Sequence, residues 1–173
     1  MSRDAARLLY ELAGQVERGC IIEVGSYRGR STVALARGAA AGHGAPVYAI
    51  DPHEPFVGVR GQRFGPEDRA AFMRNMVRTG AYRYVRLLNV SSEVVSPGWN
   101  QPVGLLWLDG DHAYEAVRRD FNAWEPHLLP TSDLVLDDAD DPQLGPHRLV
   151  RELTDEGWSV AAHVDKIVHL RRG

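Results

Sequence analysis

Apolar residues along the chain follow two alternating rhythms. Short runs at 20–24, 46–50, 84–88, 103–108 and 134–136 have few polar interruptions, the pattern of strands buried on both faces. Between them the apolar positions fall at helical spacing. The first such stretch, 3–18, places Ala6, Leu8, Leu9, Leu12 and Val16 on one face and meets a stop signal at Gly19. Further helices are predicted at 31–41, at 66–78 behind the opening Pro66-Glu67-Asp68, at 114–124 and at 146–156, with closing strands at 158–162 and 166–170. Repeated strand and helix units of this length predict an α/β fold, a mostly parallel sheet with helices on both faces and three layers in all. No internal repeat or linker interrupts the pattern, so residues 1–173 are read as a single domain. One connection is out of proportion. Residues 54–65 are rich in glycine and aromatic side chains, and loops of that kind are either functional lids or disordered excursions.

Composition narrows the partners. The 44% hydrophobic and 25% charged content argues for a packed core and against wholesale disorder. A net charge of -3 offers no basic face for a phosphate backbone, so small molecules rather than nucleic acid are the expected partners. Cys20, the single cysteine, precedes Ile21-Ile22 and reads as a small core residue in a reducing compartment. Residues 1–7 carry scattered charges, so neither a secretory signal nor a membrane span is expected and the location is read as cytoplasmic. Lys166 is the only lysine among 20 basic residues, a bias read as coding composition rather than chemistry.

Acidic residues close several of the apolar runs, and in open α/β sheets ligands bind beyond the carboxyl ends of the strands. The first run leads through Glu23 into Gly25-Ser26-Tyr27-Arg28-Gly29-Arg30-Ser31-Thr32. A dinucleotide fingerprint needs glycine where Tyr27 and Arg30 stand, which disfavours NAD and FAD. What remains is a tight turn in which Gly25 and Gly29 let the backbone approach a ligand, beside a carboxylate able to accept from an ammonium group or to orient the loop. Ser31 and Thr32 then begin a helix and are expected to satisfy its free amides. Asp51 closes the second run, where nucleotide folds hold ribose hydroxyls; taken alone it could equally cap the following loop.

Asp109-Gly110-Asp111-His112 follows the fourth run and Asp137-Asp138 the fifth. Side by side, these runs would gather three carboxylates whose repulsion a hard cation such as magnesium would relieve. The alternative is a solvated acidic turn formed by Asp138, Asp140 and Asp141. His112 is the side chain best poised near neutral pH to take a proton from an acceptor hydroxyl, with Asp109 as the other candidate base. His53 and His147 sit in loops that could face the same pocket. Phe56, Arg60, Arg63 and Phe64 in the long connection suit a sugar ring or an anionic group.

Together these residues resemble the class I S-adenosylmethionine-dependent methyltransferases, in particular the small O-methyltransferases acting on sugars and macrolides. The resemblance spans about residues 20–140 and rests on the Glu23 to Thr32 turn, on Ile50-Asp51-Pro52, on Leu106 to Tyr114 with Asp120, and on Leu136-Asp137-Asp138. It implies a Rossmann-like sheet of about seven strands in the order 3-2-1-4-5-7-6, with an antiparallel strand near the C-terminus. It implies that Glu23, Gly25, Ser26, Gly29, Ser31, Thr32, Asp51, Asp109 and His112 serve the S-adenosylmethionine site, with Ser91 and Ser92 near the adenine. Metal-dependent relatives place one aspartate after the fourth strand and a pair after the fifth, which makes Asp109, Asp137 and Asp138 the implied magnesium ligands. The sugar-modifying relatives carry no histidine here, so His112 is a departure from their pattern.

The expected activity is therefore O-methyl transfer to a hydroxyl of a saccharide or secondary metabolite, assisted by Mg2+ or another divalent cation. Two alternatives stay open: a metal-independent enzyme using His112 as general base, and a nucleoside-binding protein without catalysis. The chain leaves little room for the helices that relatives use as a substrate wall, and a homodimer is expected.

Overall fold

The apolar runs become the centre of one seven-stranded sheet. A computed structural model describes all of residues 1–173. In chain order the elements are α1 (Arg3–Gln15), β1 (Cys20–Val24), α2 (Arg30–Ala41), β2 (Val47–Ile50), β3 (Phe56–Val57), β4 (Arg63–Phe64), α3 (Pro66–Thr79), β5 (Val85–Leu88), α4 (Ser92–Val95), β6 (Val103–Leu108), α5 (Tyr114–Trp124), β7 (Leu128–Leu136), α6 (Gly145–Asp155), β8 (Trp158–Val164) and β9 (Ile167–Arg172). The large sheet runs β5-β2-β1-β6-β7-β9-β8. Numbered among themselves, its strands stand in the order 3-2-1-4-5-7-6 that the resemblance implied. The first five are parallel, and β9 is antiparallel to both β7 and β8.

Alternation along each strand divides the side chains between two cores. Ile21, Val47, Leu105, Trp107 and Val135 pack with residues of α1, α2 and α3, whereas Ile22, Leu106, Leu108, Leu134 and Leu136 pack with α5 and α6. Each large aliphatic side chain buried in this way contributes about 2 kcal/mol. Both faces of the central strands are thus spent on packing, which leaves the strand ends for chemistry.

Three departures from the sequence reading have local causes. Helix α1 stops at Gln15 because Val16 turns to extended geometry and enters the core. Gly19 does not end the helix; at φ +83 it passes Pro102 so closely that a Cβ would lie 2.2 Å from the Pro102 carbonyl oxygen. Strand β7 begins well before the apolar run at 134–136, and its pairing with β6 slips between Val103 and Leu105 where the polar Pro130-Thr131-Ser132 segment hides the strand. The long connection at 54–65 is an ordered hairpin, with Phe56 opposite Phe64 and Val57 opposite Arg63. No helix is long and apolar enough to cross a membrane.

Candidate active site

Sheet hydrogen bonding delivers the acids to one edge. Asp51 N donates to Leu88 O at 3.1 Å, Asp109 N to Val24 O at 2.8 Å, and Asp137 N to Leu108 O at 3.0 Å, so each residue leaves its strand in register with its neighbour. Beyond these ends lies a cavity of about 550 Å3, lined among others by Gly25, Ser26, Asp51, Ser91, Ser92 and Asp109. It sits where ligands bind in open α/β sheets.

The first wall is the turn after β1. Gly25 has φ +83, and a Cβ there would fall 2.2 Å from the Asp109 carbonyl oxygen, so the glycine permits contact between the two strand exits. Gly29 also packs closely on α3: a Cβ there would lie 2.6 Å from Met76 Cε and 3.0 Å from Phe72 Cδ2. Glu23 is fully buried behind the cavity and accepts hydrogen bonds from Ser31 Oγ and Thr32 Oγ1, both at 2.5 Å. The two hydroxyls therefore brace the carboxylate instead of capping the helix, which has Gly29 at its N-cap with no side-chain bond. Burial raises the Glu23 pKa to about 8. Of the expected cofactor residues on this turn, Gly25, Ser26 and Ser31 line the cavity, whereas Glu23, Gly29 and Thr32 stand behind its wall.

Asp51 ties this wall to the next. Its Oδ2 accepts from Ser26 N at 2.9 Å and Tyr27 N at 2.8 Å, and its Oδ1 accepts from His53 N at 2.8 Å. Asp51 thus organises the loops, and a carboxylate with about four acceptor sites keeps capacity at Oδ1 beyond these bonds. His53 is buried with Nε2 2.8 Å from Tyr27 O. Tyr27, His53 and Asp138 all have positive φ (46, 49 and 49°), an uncommon backbone conformation gathered here around one cavity.

At the far end, Ser91 and Ser92 line the cavity beside Asp120. Trp124 Nε1 donates to Ser92 Oγ at 3.2 Å. Burial pushes the Asp120 carboxyl to about 6 despite its hydrogen bond to Ser92.

The third acid cluster is the densest. His112 Nδ1 lies 3.1 Å from Asp138 Oδ2, and His112 Nε2 lies 3.6 Å from Asp109 Oδ1. Burial, then the charge of Asp137, pushes Asp109 well above the carboxylate range, with His112 opposing. For His112, burial disfavours the cation, yet Asp109, Asp138 and Asp137 outweigh it and raise the pKa. Two cations enter from outside the acid motifs. Lys166 Nζ stands 2.6 Å from Asp137 Oδ2 and 3.1 Å from Asp138 Oδ1. Arg60, in the turn joining β3 to β4, reaches Asp141 at 2.5 Å and Asp138 at 3.7 Å. The hairpin thereby arches over the cavity, its Phe56 and Phe64 rings stacked at 4.6 Å and Tyr27 set edge-on to Phe64 at 5.3 Å.

A model of the methyltransferase domain family matches residues 22–139, well over half of the chain and both halves of the cavity. The chain belongs to this methyltransferase family. Solved structures agree on the fold. The cofactor-bound protein Rv0187 from MTB superposes with a TM-score of 0.76 at 19% identity, over 100% of this chain and 82% of that one. An O-methyltransferase from Bacillus cereus in complex with SAH gives 0.74 at 16% identity, over 99% and 82%. CalS11, a TDP-rhamnose 3'-O-methyltransferase of calicheamicin biosynthesis, gives 0.70 at 17% identity, over 98% and 78%.

In this methyltransferase, Asp109, His112, Asp137 and Asp138 do meet, as their positions after adjacent strands required. Of the three aspartates expected to hold magnesium, two group with His112. Asp109, His112 and Asp137 each offer an atom within 4.8 Å of the others, while Asp138 is engaged by His112, Lys166 and Arg60. His147 turns away, with Nδ1 2.9 Å from Ala139 O. The sequence reading missed Lys166, although an arginine-rich chain that keeps one lysine had marked it out.

Proposed function

We propose that this methyltransferase moves the methyl group of S-adenosylmethionine to a hydroxyl of a small-molecule acceptor, with His112 as the base. The observation that carries the assignment is the state of the imidazole. Asp138 holds Nδ1, and Nε2 is buried without a hydrogen-bond partner at the border of two cavities. A base fixed by a carboxylate on one nitrogen and unpaired on the other, with Asp109 3.6 Å away, is an arrangement that supports proton abstraction. S-adenosylmethionine supplies a methyl group already activated on sulfonium. The chain must hold the acceptor oxygen in line with it and remove one proton.

The cofactor half follows from position. Gly25, Ser26, Ser31 and Asp51 line one end, with Asp51 suited to ribose hydroxyls, and Ser91 and Ser92 line the other, suited to the base. The acceptor half lies around His112, where a second cavity of about 210 Å3 opens beneath Val59 of the hairpin and is bordered by Tyr114 and Arg148. Stacked Phe56 and Phe64 together with Arg60 favour a ring-shaped polar acceptor such as a saccharide. The TDP-rhamnose specificity in the name of CalS11 supports the same class.

A second reading keeps the divalent cation. Asp137 Oδ1 and His112 Nε2 are buried and unpartnered, and both converge with Asp109, so the residues fit such an ion. Two carboxylates and an imidazole suit a manganese-like ion better than magnesium, which prefers oxygen ligands. A bound cation would acidify the acceptor hydroxyl, but His112 Nε2 cannot serve it and take the proton as well.

Titration of S-adenosylhomocysteine into the protein, followed by turnover of a hydroxyl panel before and after exhaustive chelation, tests both readings. Cofactor binding with chelator-resistant turnover supports His112 as base. Turnover abolished by chelation and restored by manganese transfers the role to the ion. Absence of cofactor binding by folded protein would remove the methyltransfer proposal.

A further inference from the structure

Lys166 is the one residue that reaches the acid cluster from the last hairpin of the sheet. It sits at the turn between β8 and β9, next to Asp165, whose φ of 53° lets the two strands reverse tightly. Its backbone is fixed to the acid loop, since Ala139 N donates to Lys166 O at 2.9 Å. Its ammonium contacts Asp137 Oδ2 at 2.6 Å and Asp138 Oδ1 at 3.1 Å, and the side chain is only 35% exposed. A lysine at a hairpin tip ordinarily extends into water, because an ammonium is strongly hydrated and its stem is flexible. Here carbonyl and ammonium both clamp the segment Asp137-Asp138-Ala139 from one side.

The charge count around His112 gives that clamp a further meaning. Asp109, Asp137 and Asp138 supply the carboxylates; Lys166 and Arg60 are the cations set against them. Arg60 reaches Asp138 only at 3.7 Å and does so from the hairpin, whereas Lys166 is seated on the sheet. Asp137 is 94% buried by side chain, given its 6% exposure, and splits its two oxygens: Oδ2 faces Lys166, and Oδ1 is unpartnered on the side of Asp109 and His112.

We propose that Lys166 is a tethered cation of the reaction site whose charge, set on the far oxygen of Asp137, lowers the affinity of Asp109, His112 and Asp137 for a divalent ion. The inference rests on the assignment of this cluster to the acceptor half of the site. In the free protein the ammonium supplies charge that a metal would otherwise bring. The imidazole is thereby left open for proton transfer, and a divalent ion must bind against a fixed positive charge on the opposite oxygen of the same carboxylate.

Because Lys166 is the only lysine, its charge can be removed without refolding the chain. Acetylation of the folded protein neutralises Lys166 and the N-terminal amine, while reductive dimethylation modifies the same two groups and keeps both charges. Mn2+ binding is then followed by calorimetry and by the electron paramagnetic signal of the free ion. The expected result is Mn2+ binding about tenfold tighter in the acetylated protein than in the dimethylated or untreated one. Lys166→Met should reproduce the gain and Lys166→Arg should not. Unchanged or weaker binding after acetylation would overturn the proposal, since a purely structural lysine would on removal loosen Asp137 and Asp138 and weaken the site. Absence of Mn2+ binding in every form would overturn it as well. S-adenosylhomocysteine titrated into the same samples reports separately on the methyltransfer assignment, whose failure would leave the Mn2+ comparison intact.

Discussion

His112 Nδ1 stands 3.1 Å from Asp138 Oδ2, while the other ring nitrogen is buried with no partner. The pair spans two strand exits, β6 and β7, so the orientation of the imidazole depends on the register of the sheet. Asp138 has a φ of 49° and lines the cavity. His112→Ala is expected to slow methyl transfer by about 10^2 to 10^3 while leaving S-adenosylhomocysteine affinity nearly unchanged. Asp138→Asn keeps the shape and loses the charge, and a smaller loss of about tenfold is expected. Single-turnover rates with calorimetric binding check both; unimpaired transfer by the alanine variant would dismiss His112 as base.

Much of this was legible because strands buried on both faces write themselves as unbroken apolar runs. Ile21-Ile22, Leu105-Leu106 and Leu134-Val135-Leu136 announce a parallel sheet, and the acids that follow them announce its reactive edge. What escaped was set by contacts distant in sequence. The packing of Gly29 against Phe72 and Met76, which leaves no space for a side chain, has no signal in the turn itself. Ser31 and Thr32 had the right place to cap a helix, but a buried Glu23 is the stronger claimant for their hydroxyls. Strands of two residues, as in β3 and β4, are too short to carry a period at all.

The turn after β1 distinguishes conformation from space. Gly25 and Gly61 both have positive φ, at +83 and +80, yet a Cβ on Gly25 would strike backbone atoms of Asp109 and Gly110 and one on Gly61 would meet nothing within 4 Å. Gly61→Ala should therefore cost only the backbone penalty, about 1 kcal/mol. Gly25→Ala should cost more than about 4 kcal/mol or prevent folding, because neither strand exit can retreat without breaking the sheet. Denaturant titration of the two variants checks the contrast, and equal losses would contradict it.

Arg60 joins the hairpin to the opposite rim through Asp141 and Asp138, and it is 46% exposed in doing so. An exposed pair of this kind contributes less than about 1 kcal/mol to global stability. The expected effect of Arg60→Ala is consequently local: an almost unchanged melting temperature, faster proteolytic cleavage within residues 57–63, and a raised KM for the acceptor. Cleavage at the wild-type rate would mean that the stacked Phe56 and Phe64 hold the hairpin without the arginine.

Glu23 should make stability depend on pH in the direction opposite to a salt-bridged carboxylate. Burial raises its pKa from 4.5 to about 8 in the folded protein, so the folded state binds this proton more tightly than the unfolded chain does. The contribution is fully present below about pH 4.5, declines as pH rises and is lost once pH passes through about 8. Ser31 and Thr32, both donating to the carboxylate, moderate the loss without reversing it. Glu23→Gln keeps the volume and an acceptor oxygen but cannot titrate. Relative to this variant, the wild-type melting temperature should fall between about pH 5 and about pH 8, most steeply near about pH 6 to 7, and level off above about pH 8.5. Parallel curves for the two proteins across that range would show that the carboxylate ionises in the core as readily as in water, and that its two hydroxyl partners suffice to solvate it.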